Sequence, residues 1–217
     1  MSRKIISVLS EKGGVGKTTL STNISHCLKH YHNKNVLLID GDPQGSSRDW
    51  HDVNEGEIVP VLGMDRPTID KDIKNVCPSY ERVIIDGAPA ISSLFAKSIK
   101  ISDLVLIPVQ PSPLDLWATS NIVKIIKERQ DITDGKLKAA FVVSRAIKNT
   151  KLSGELFKIL KEFDLPILEH GTTQKIIYPS SISEGKTVIG NKDKNAEIEI
   201  KQITQEIEDM LLSTTPP

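Results

Sequence analysis

The sequence predicts an α/β protein built on a doubly wound, mostly parallel β-sheet with helices on both faces. Short, nearly continuous apolar runs alternate with longer segments of helical apolar spacing along the 217 residues. Such runs are typical of parallel strands buried on both faces, and parallel strands need helical crossovers between them. A glycine-rich turn also separates the first apolar run from the first helical segment, which is the order of elements in phosphate-binding α/β proteins.

Five apolar runs are predicted to form the strands of this sheet. They occupy residues 5–9, 36–39, 83–85, 104–107 and 141–143. Residues 57–63 and 166–169 are candidates for two shorter strands. Apolar residues at helical spacing predict helices over 17–31, 114–129, 152–163 and 196–212. Residues 63–78 contain few apolar side chains and receive no assignment. We expect one domain over residues 1–212 and a disordered tail over 213–217.

The composition is that of a soluble globular chain. Hydrophobic residues make up 38% and charged residues 26%, and the 28 basic side chains equal the 28 acidic ones in number. A formal net charge of zero excludes the strong overall field of an obligate, highly basic nucleic-acid binder, although a local basic face remains possible. The first apolar run is too short and too polar for a signal peptide or a membrane span. Cys27 and Cys77 lack metal-type spacing and are expected to be reduced packing residues in a cytoplasmic protein.

A phosphate-binding loop is the most specific motif in the chain. The motif, hereafter the P-loop, consists of Lys12, Gly13, Gly14, Val15, Gly16, Lys17, Thr18 and Thr19. Glycines allow successive backbone N–H groups to surround phosphate oxygens, Lys17 supplies a positive charge, and the Thr18 hydroxyl can bind Mg²⁺. The alternative is a glycine-rich turn that precedes a lysine by chance. The position between a strand and a helix favours a nucleotide site.

Carboxylates follow two of the predicted strands. Asp40 and Asp42 end the second strand, and because residues two apart on a strand share a face, both are expected to point at the phosphate site. The alternative for Asp42 is an Asx turn or N-cap before Pro43. Asp86 ends the third strand in the pattern of a carboxylate that holds Mg²⁺ through water, with strand capping as the alternative.

One departure from the common P-loop points to a family. Glu11 stands where a glycine is usual, and Lys12 precedes the double glycine. With these residues the chain resembles the ParA/MinD family of ATPases with a deviant Walker A motif, and most of all its small, ParF-like plasmid-partition members. The resemblance implies that the protein binds ATP and Mg²⁺. It also implies that Lys12 reaches the partner's phosphates across a nucleotide-sandwich dimer, in which two subunits enclose the nucleotides.

The resemblance also implies roles for the three carboxylates. Asp42 would position the attacking water, Asp40 would support Mg²⁺ and the switch region, and Asp86 would complete the metal site. Residues 87–89 would form a switch loop that senses the γ-phosphate, and the proline-rich residues 107–115 would lie near the dimer interface. Lys12, Lys17 and Asp42 are thus the predicted catalytic residues. The predicted metal-site residues are Thr18, Asp40 and Asp86.

The resemblance implies that a basic face binds DNA non-specifically and with ATP. The candidates cluster, by our prediction, around the end of one strand, and they are Lys136, Lys138, Arg145, Lys148 and Lys151, with Lys175 and Lys186 as possible additions. The alternative is an ordinary solvated surface. Arg145 follows the 141–143 strand and either flanks the adenine or faces DNA. Residues 172–178 are expected to line the nucleotide or DNA face, with Ile177 where an arginine would be expected.

The predicted function is an ATP-driven switch for DNA segregation in plasmid partition. The dimer would bind the nucleoid in the cytoplasm, and a small centromere-binding adaptor would stimulate slow hydrolysis to release it. The alternative cargo is a protein body such as a carboxysome or a chemoreceptor cluster. A MinD-like membrane ATPase is disfavoured because anionic lipid would repel the acidic residues of the last helix. These residues are Glu197, Glu199, Glu206, Glu208 and Asp209.

Overall fold

Six parallel strands form one sheet in the computed structural model, which describes residues 3–76, 78–89, 93–147 and 151–213, without the side chains of 113–118 and 151–155. The strands are β1 (Lys4–Val8), β2 (Val36–Asp40), β3 (Val61–Gly63), β4 (Arg82–Asp86), β5 (Leu104–Val109) and β6 (Lys138–Val143). Their order is β3-β2-β4-β1-β5-β6, and every pair of neighbours is parallel. The predicted fold class is confirmed.

Helices connect the successive strands of the sheet and also form the part of the chain that follows β6. They are α1 (Lys17–His30), α2 (Ser46–Val53), α3 (Ile69–Val76), α4 (Ser93–Ile101), α5 (Pro113–Ile132), α6 (Lys151–Glu162), α7 (Ile177–Ser183) and α8 (Lys194–Leu212). The four predicted helices are present with ends shifted by a few residues. Four further helices, α2, α3, α4 and α7, were not predicted, because each has at most nine residues and so shows too few apolar positions to establish a period.

The two short predicted strands have different outcomes. Residues 57–63 contain β3, but residues 166–169 form only an isolated bridge between Ile167 and Phe141 on β6. Backbone hydrogen bonds from Phe141 N to the Pro166 carbonyl and from Leu168 N to the Phe141 carbonyl accompany this bridge, each 2.9 Å long. The segment therefore covers the edge of β6 without extending into a strand.

Alternate residues of the strands supply the two faces of the core. On one face, Ile6, Val8, Leu38 and Ile84 pack with the apolar residues of α1 and α8. On the other face, the strands pack against α3 and α4 in one cluster and α5 and α6 in another. Cys27 is fully buried in the first cluster, as expected for a packing residue, whereas Cys77 lies outside the described residues. Within the described ranges, no helix has the length and apolar character needed to cross a bilayer.

A buried ion pair attaches α8 to the amino end of β4. The Arg82 guanidinium donates to both carboxylate oxygens of Glu208 at 2.7 Å, and each side chain is only 6% exposed. The hydrogen bond to Glu208 raises the pKa of Arg82. Two parallel hydrogen bonds between a guanidinium and a carboxylate fix relative orientation as well as distance. The pair therefore sets where the last helix lies against the sheet.

Glu208→Ala should destabilise the protein by about 3–5 kcal/mol, because it leaves the Arg82 charge buried without its partner. Chemical denaturation of wild type and variant measures the change in the free energy of unfolding. The neighbouring Asp209 is exposed, and Asp209→Ala serves as the control with an expected loss below about 1 kcal/mol. The double variant Arg82→Met, Glu208→Leu should recover much of the lost stability. Equal losses for Glu208→Ala and Asp209→Ala would contradict a structural role for the pair.

Candidate nucleotide site

The P-loop lies between the end of β1 and the start of α1, at the carboxyl edge of the sheet. Gly16 is the N-cap of α1 and, with φ of 93°, adopts the left-handed conformation that favours glycine. A Cβ at this position would also lie 2.8 Å from the Ser144 hydroxyl oxygen. Backbone and side-chain sterics thus both select glycine here. The free N–H groups of the first turn of α1 point toward the loop, where an anion is stabilised.

Lys17 is held inside the P-loop. The residue is 7% exposed, and its ammonium group donates to the Lys12 carbonyl oxygen at 2.9 Å. Burial lowers the pKa of Lys17, and the nearby carboxylates of Asp86 and Asp42 partly offset this effect. The Lys17 ammonium therefore lies inside the loop that would surround a phosphate, with a backbone carbonyl oxygen as its acceptor.

Asp86 is the centre of a buried hydrogen-bond network. Its carboxylate accepts from the Thr18 hydroxyl at 2.7 Å and from the Ser47 hydroxyl at 2.8 Å, both on the same oxygen. The Ser21 hydroxyl lies 3.3 Å from the other oxygen. Asp86 is 1% exposed, and this burial raises its pKa to about 6. Sequence reasoning missed Ser21 and Ser47, although Ser21 stands one helical turn after Thr18 on α1.

Asp40 holds the start of α2. One carboxylate oxygen accepts from the Asp42 backbone N–H at 3.0 Å. The other accepts from the Arg48 backbone N–H at 3.0 Å and lies 3.4 Å from the Arg48 Nε. Arg48 also donates from its guanidinium to the Asp42 carbonyl oxygen at 3.0 Å. Asp40 therefore fixes the loop that follows β2, and its predicted contact with Mg²⁺ stays a prediction.

The expected strand geometry of Asp42 is wrong. β2 ends at Asp40, so Asp42 lies in the following loop and does not share a strand face with Asp40. Its carboxylate accepts from the Gln44 backbone N–H at 2.9 Å, which is the Asx turn left open as the alternative. Asp42 nevertheless lies close enough to Lys17 to offset part of the lowering that burial causes in the pKa of that lysine. The turn presents the carboxylate beside the P-loop.

Gly87 keeps the ends of the central strands in contact. Its backbone N–H donates to the Val8 carbonyl at 3.1 Å, and a Cβ would lie 2.3 Å from a Leu9 methyl carbon. A Cβ would also lie 3.1 Å from the Val8 carbonyl oxygen, so a side chain would require both Leu9 and the backbone to shift. The predicted switch loop at 87–89 thus begins at a point of close backbone approach, while residues 90–92 lie outside the described residues. Gln110 adds a contact that the sequence did not predict, from its amide nitrogen to the Gly14 carbonyl at 3.1 Å.

A cavity of about 310 Å³, hereafter the side cavity, opens beside the P-loop. It is lined by Gly16, Thr19 and Leu20 on one side and by Ser144, Arg145, residues 172–176, Tyr178 and Pro179 on the other. Its size is at the lower end of the range for small-molecule sites. Arg145 has a φ of 56°, and its backbone N–H donates to the Thr172 hydroxyl at 3.1 Å. The cavity brings Arg145 and the 172–178 segment to the P-loop, and their contact with the base stays a prediction.

The predicted cluster of DNA-binding residues is wrong in its geometry. Lys136 and Lys138 lie at the amino end of β6, whereas Arg145 follows its carboxyl end, about 20 Å away across six residues. The Lys138 ammonium donates to carbonyl oxygens at the end of α8 and to the Ser213 hydroxyl at 2.8 Å. Lys175 forms an ion pair with Asp193 at 3.1 Å. Lys148 and the side chain of Lys151 lie outside the described residues.

The residues near the P-loop fit a magnesium ion that is held together with phosphate. The described part of the chain contains no group of three or more His, Cys, Asp or Glu residues arranged for a metal. Mg²⁺ in nucleotide sites uses few protein ligands and completes its octahedral shell with phosphate oxygens and water. Thr18 and Asp86, already in contact at 2.7 Å, are the groups that suit such a shell.

Comparisons with known proteins agree on one family. The domain described as the CobQ/CobB/MinD/ParA nucleotide binding domain matches residues 6–212. The chain is 33% identical over 208 residues to the maintenance of carboxysome distribution protein A of Halothiobacillus neapolitanus, covering 93% of this chain and 95% of the relative. It is 28% identical over 197 residues to the protein ParA of Rhizobium radiobacter, covering 88% of this chain and 87% of the relative.

Solved structures share the fold at low sequence identity. The cobyrinic acid a,c-diamide synthase of Mycobacterium smegmatis, with a bound ATP analog and magnesium, superposes with a TM-score of 0.79 at 19% identity. This alignment covers 99% of the present chain and 97% of the synthase chain. The likeness therefore extends over the whole sheet and its helices.

The free energy of unfolding of Asp86→Asn should increase relative to that of wild type as the pH rises. An aspartate in an unfolded chain has a pKa of about 3.9, whereas burial raises the pKa of Asp86 to about 6. Between these values the native protein keeps a proton that the unfolded chain has lost, so wild-type stability falls with rising pH. Asparagine does not titrate. Denaturation without Mg²⁺ or nucleotide should show the difference growing by about 2 kcal/mol from pH 4 to pH 7. A pH-independent difference would contradict the raised pKa.

Proposed function

The chain belongs to the CobQ/CobB/MinD/ParA family of nucleotide-binding domains, and on that premise we propose that it is a magnesium-dependent ATPase that works as a molecular switch. Membership confirms the resemblance to ParA and MinD proteins. The observation that carries the proposal is the Asp86 network, because it joins the P-loop helix to the helix that follows Asp42. A change in the phosphates bound at the P-loop is thereby coupled to the position of α2.

The residues of the site divide the work of phosphoryl transfer. Lys17 and the backbone N–H groups of the P-loop hold and neutralise the phosphates, and Thr18 and Asp86 hold Mg²⁺. The metal supplies charge neutralisation at the phosphate oxygens. Asp42, in its turn beside Lys17, positions the attacking water. This division suits a reaction that depends mainly on positioning and electrostatic stabilisation.

The Asp86 contacts couple the nucleotide state at the P-loop to the position of α2. Thr18 and Ser47 share one oxygen of Asp86, so a rearrangement of Thr18 alters the acceptor available to Ser47 at the start of α2. Asp40 and Arg48 bind the intervening loop that carries Asp42. The state of the phosphates thus reaches the surface through α2 and its preceding loop. Order and release of such a loop is a known way to convert hydrolysis into a change of partner.

In this proposal ATP joins two subunits into the sandwich dimer, with Lys12 reaching the partner's phosphates. The dimer binds non-specific DNA, which places it on the nucleoid in the cytoplasm, and a small centromere-binding adaptor stimulates hydrolysis. Lys12 suits the trans role because it is partly exposed at the mouth of the P-loop, while its own carbonyl oxygen holds Lys17. The predicted lysines do not form one DNA-binding face, since Lys136 and Lys138 lie at the end of β6 opposite to Arg145.

Two cargoes are supported by relatives. The 28% identical protein named ParA supports DNA segregation, which we retain as the first candidate. The 33% identical protein named for carboxysome distribution supports the positioning of a protein body. Deletion of the gene in its host separates them: plasmid loss with normally placed protein bodies supports the first cargo. Misplaced protein bodies with stable plasmids support the second.

A membrane role fits α8 poorly, though for a reason other than the predicted one. The acidic residues of α8 do not form a surface that repels lipid, because Glu197, Glu199, Glu206 and Glu208 all accept hydrogen bonds from the rest of the protein. The apolar residues of α8, including Ile200, Ile203 and Ile207, are fully buried in the core. The main apolar stripe of the helix is therefore used by the core, and the exposed Ile198 and Leu212 are too few to form a face that inserts into a bilayer.

Asp42→Ala should bind ATP, dimerise and remain on DNA, because it removes the residue that positions water but leaves the P-loop intact. Binding to random-sequence duplex DNA without nucleotide, with ADP and with ATP measures this. Wild type should bind DNA only when ATP is present, and its affinity for DNA should fall steeply as salt is added. Asp42→Ala should stay bound to DNA while hydrolysing ATP at least about 100-fold more slowly. Lys17→Ala is the control that should bind neither nucleotide nor DNA. Monomeric Asp42→Ala at saturating ATP would refute the role given to Asp42.

Lys12→Ala should bind nucleotide with near-normal affinity and fail to dimerise, since its ammonium group acts on the partner's phosphates. Sedimentation with ATP gives the oligomeric state, and calorimetry gives the affinity for nucleotide. Lys29→Ala, on the exposed end of α1, is a charge-matched control that should dimerise normally. Normal ATP-dependent dimerisation of Lys12→Ala would remove the trans role.

A further inference from the structure

One wall of the side cavity is a segment that has almost no regular structure of its own. It runs from Thr172 to Tyr178, and only its last two residues belong to α7. On one side it is held by backbone hydrogen bonds to Ala146, from Ala146 N to the Thr172 carbonyl at 2.8 Å and from Gln174 N to the Ala146 carbonyl at 2.9 Å. These bonds fix only its first half. Side-chain contacts supply the rest of its attachment to the protein.

Glu199, in the second turn of α8, supplies the contacts on the other side. One carboxylate oxygen accepts from the Thr173 backbone N–H at 3.1 Å and from the Tyr178 hydroxyl at 2.6 Å. The other oxygen accepts from the Thr173 hydroxyl at 2.6 Å and lies 3.8 Å from the Lys175 ammonium. All of these partners line the side cavity. Glu199 itself does not line the cavity and is 15% exposed, so it acts through the residues that do.

The electrostatics favour this arrangement at neutral pH. Burial, together with the neighbouring Glu199 carboxylate, raises the pKa of Tyr178, so its hydroxyl remains a hydrogen-bond donor. Lys175 lies between Glu199 and Asp193, the N-cap of α8, which accepts from the Lys175 ammonium at 3.1 Å. The charge of the lysine is thereby balanced by α8. Charge-assisted hydrogen bonds of this kind are stronger than neutral ones.

The position of Glu199 is fixed relative to the P-loop through the core. The residue after it, Ile200, is fully buried in the same apolar cluster as Leu20 and Ile24 of α1. Since α1 begins at the P-loop, α1 and α8 form one packed unit that carries both walls of the site. The phosphate end is set by the first turn of α1, and the wall of the side cavity is set by the first turns of α8.

We propose that Glu199 is a positioning residue that shapes the base and sugar end of the nucleotide site by holding Thr173, Lys175 and Tyr178 in place. This inference rests on the proposed nucleotide binding. Loss of Glu199 would release the wall of the side cavity without disturbing the P-loop. Affinity for the nucleoside part of ATP would fall, whereas affinity for the phosphate chain would not.

The same helix provides a matched control. Glu206 lies seven residues after Glu199, two turns along the same face of α8. It accepts from the backbone N–H groups of Glu169 at 2.7 Å and His170 at 2.9 Å, and from the His170 ring. The kind of contact is therefore the same as that of Glu199, but the residues that Glu206 holds lie outside the side cavity. A general effect of loosening α8 would appear in both variants.

The test compares ATP with inorganic tripolyphosphate, each with Mg²⁺, by calorimetry on wild type, Glu199→Ala and Glu206→Ala. Glu199→Ala should weaken ATP binding by about 10-fold and leave tripolyphosphate binding within about 2-fold of wild type, since small displacements of positioning groups have effects of this order. Glu206→Ala should change neither affinity. Unchanged ATP affinity in Glu199→Ala, or an equal loss for both ligands, would overturn the proposal. Failure of wild type to bind ATP would instead overturn the proposed function.

Milder variants keep the test decisive if Glu199→Ala folds poorly. Tyr178→Phe removes one donor to Glu199 and keeps the buried ring, and Glu199→Gln keeps an acceptor but removes the charge beside Lys175. Both should give losses of ATP affinity between wild type and Glu199→Ala, with thermal stability closer to wild type than that of Glu199→Ala and with tripolyphosphate binding unchanged. Wild-type ATP affinity in both variants would count against the positioning role.

Discussion

The buried carboxylate of Asp86 is the constraint on which the site depends. A carboxylate that is 1% exposed requires hydrogen-bond donors, because desolvation without compensation is costly. Its donors are hydroxyl groups from α1 and from α2, so the same atom group fixes the P-loop helix and the helix after the Asp42 loop. Satisfying one buried charge thereby couples two elements that are separated in the chain.

Strand register brings the parts of this site to one level. β4 lies between β2 and β1, and Asp86 is paired with Asp40 on one side and Val8 on the other. The P-loop follows Val8, and the Asp42 loop follows Asp40. Because the strands are parallel, all three connections leave the sheet at its carboxyl edge, where open α/β sheets bind ligands. The topology thus explains why residues from three distant segments meet at the phosphates.

The helix α8 organises the opposite side of the site through its acidic residues. Glu208 binds Arg82 at the amino end of the sheet, Glu206 holds the turn at His170, and Glu199 holds the wall of the side cavity. These carboxylates therefore act as fixed hydrogen-bond acceptors along the helix, while its main apolar stripe packs in the core. An acidic helix that looks like a solvated surface in the sequence is, in the folded protein, the element that positions the 169–178 segment.

The sequence by itself determined the sheet, the P-loop and the carboxylate at the end of β4, because each depends on residues that are close together in the chain. Apolar runs reveal buried strands, and a glycine-rich turn before Lys17 reveals a phosphate site. Only the tertiary structure decided that Lys138 and Arg145 lie at opposite ends of β6, that Ser47 meets Asp86 and that Glu199 meets Thr173. Periodicity carries no information about which distant polar groups will meet. That choice is made when the helices pack on the sheet and every buried donor and acceptor must find a partner.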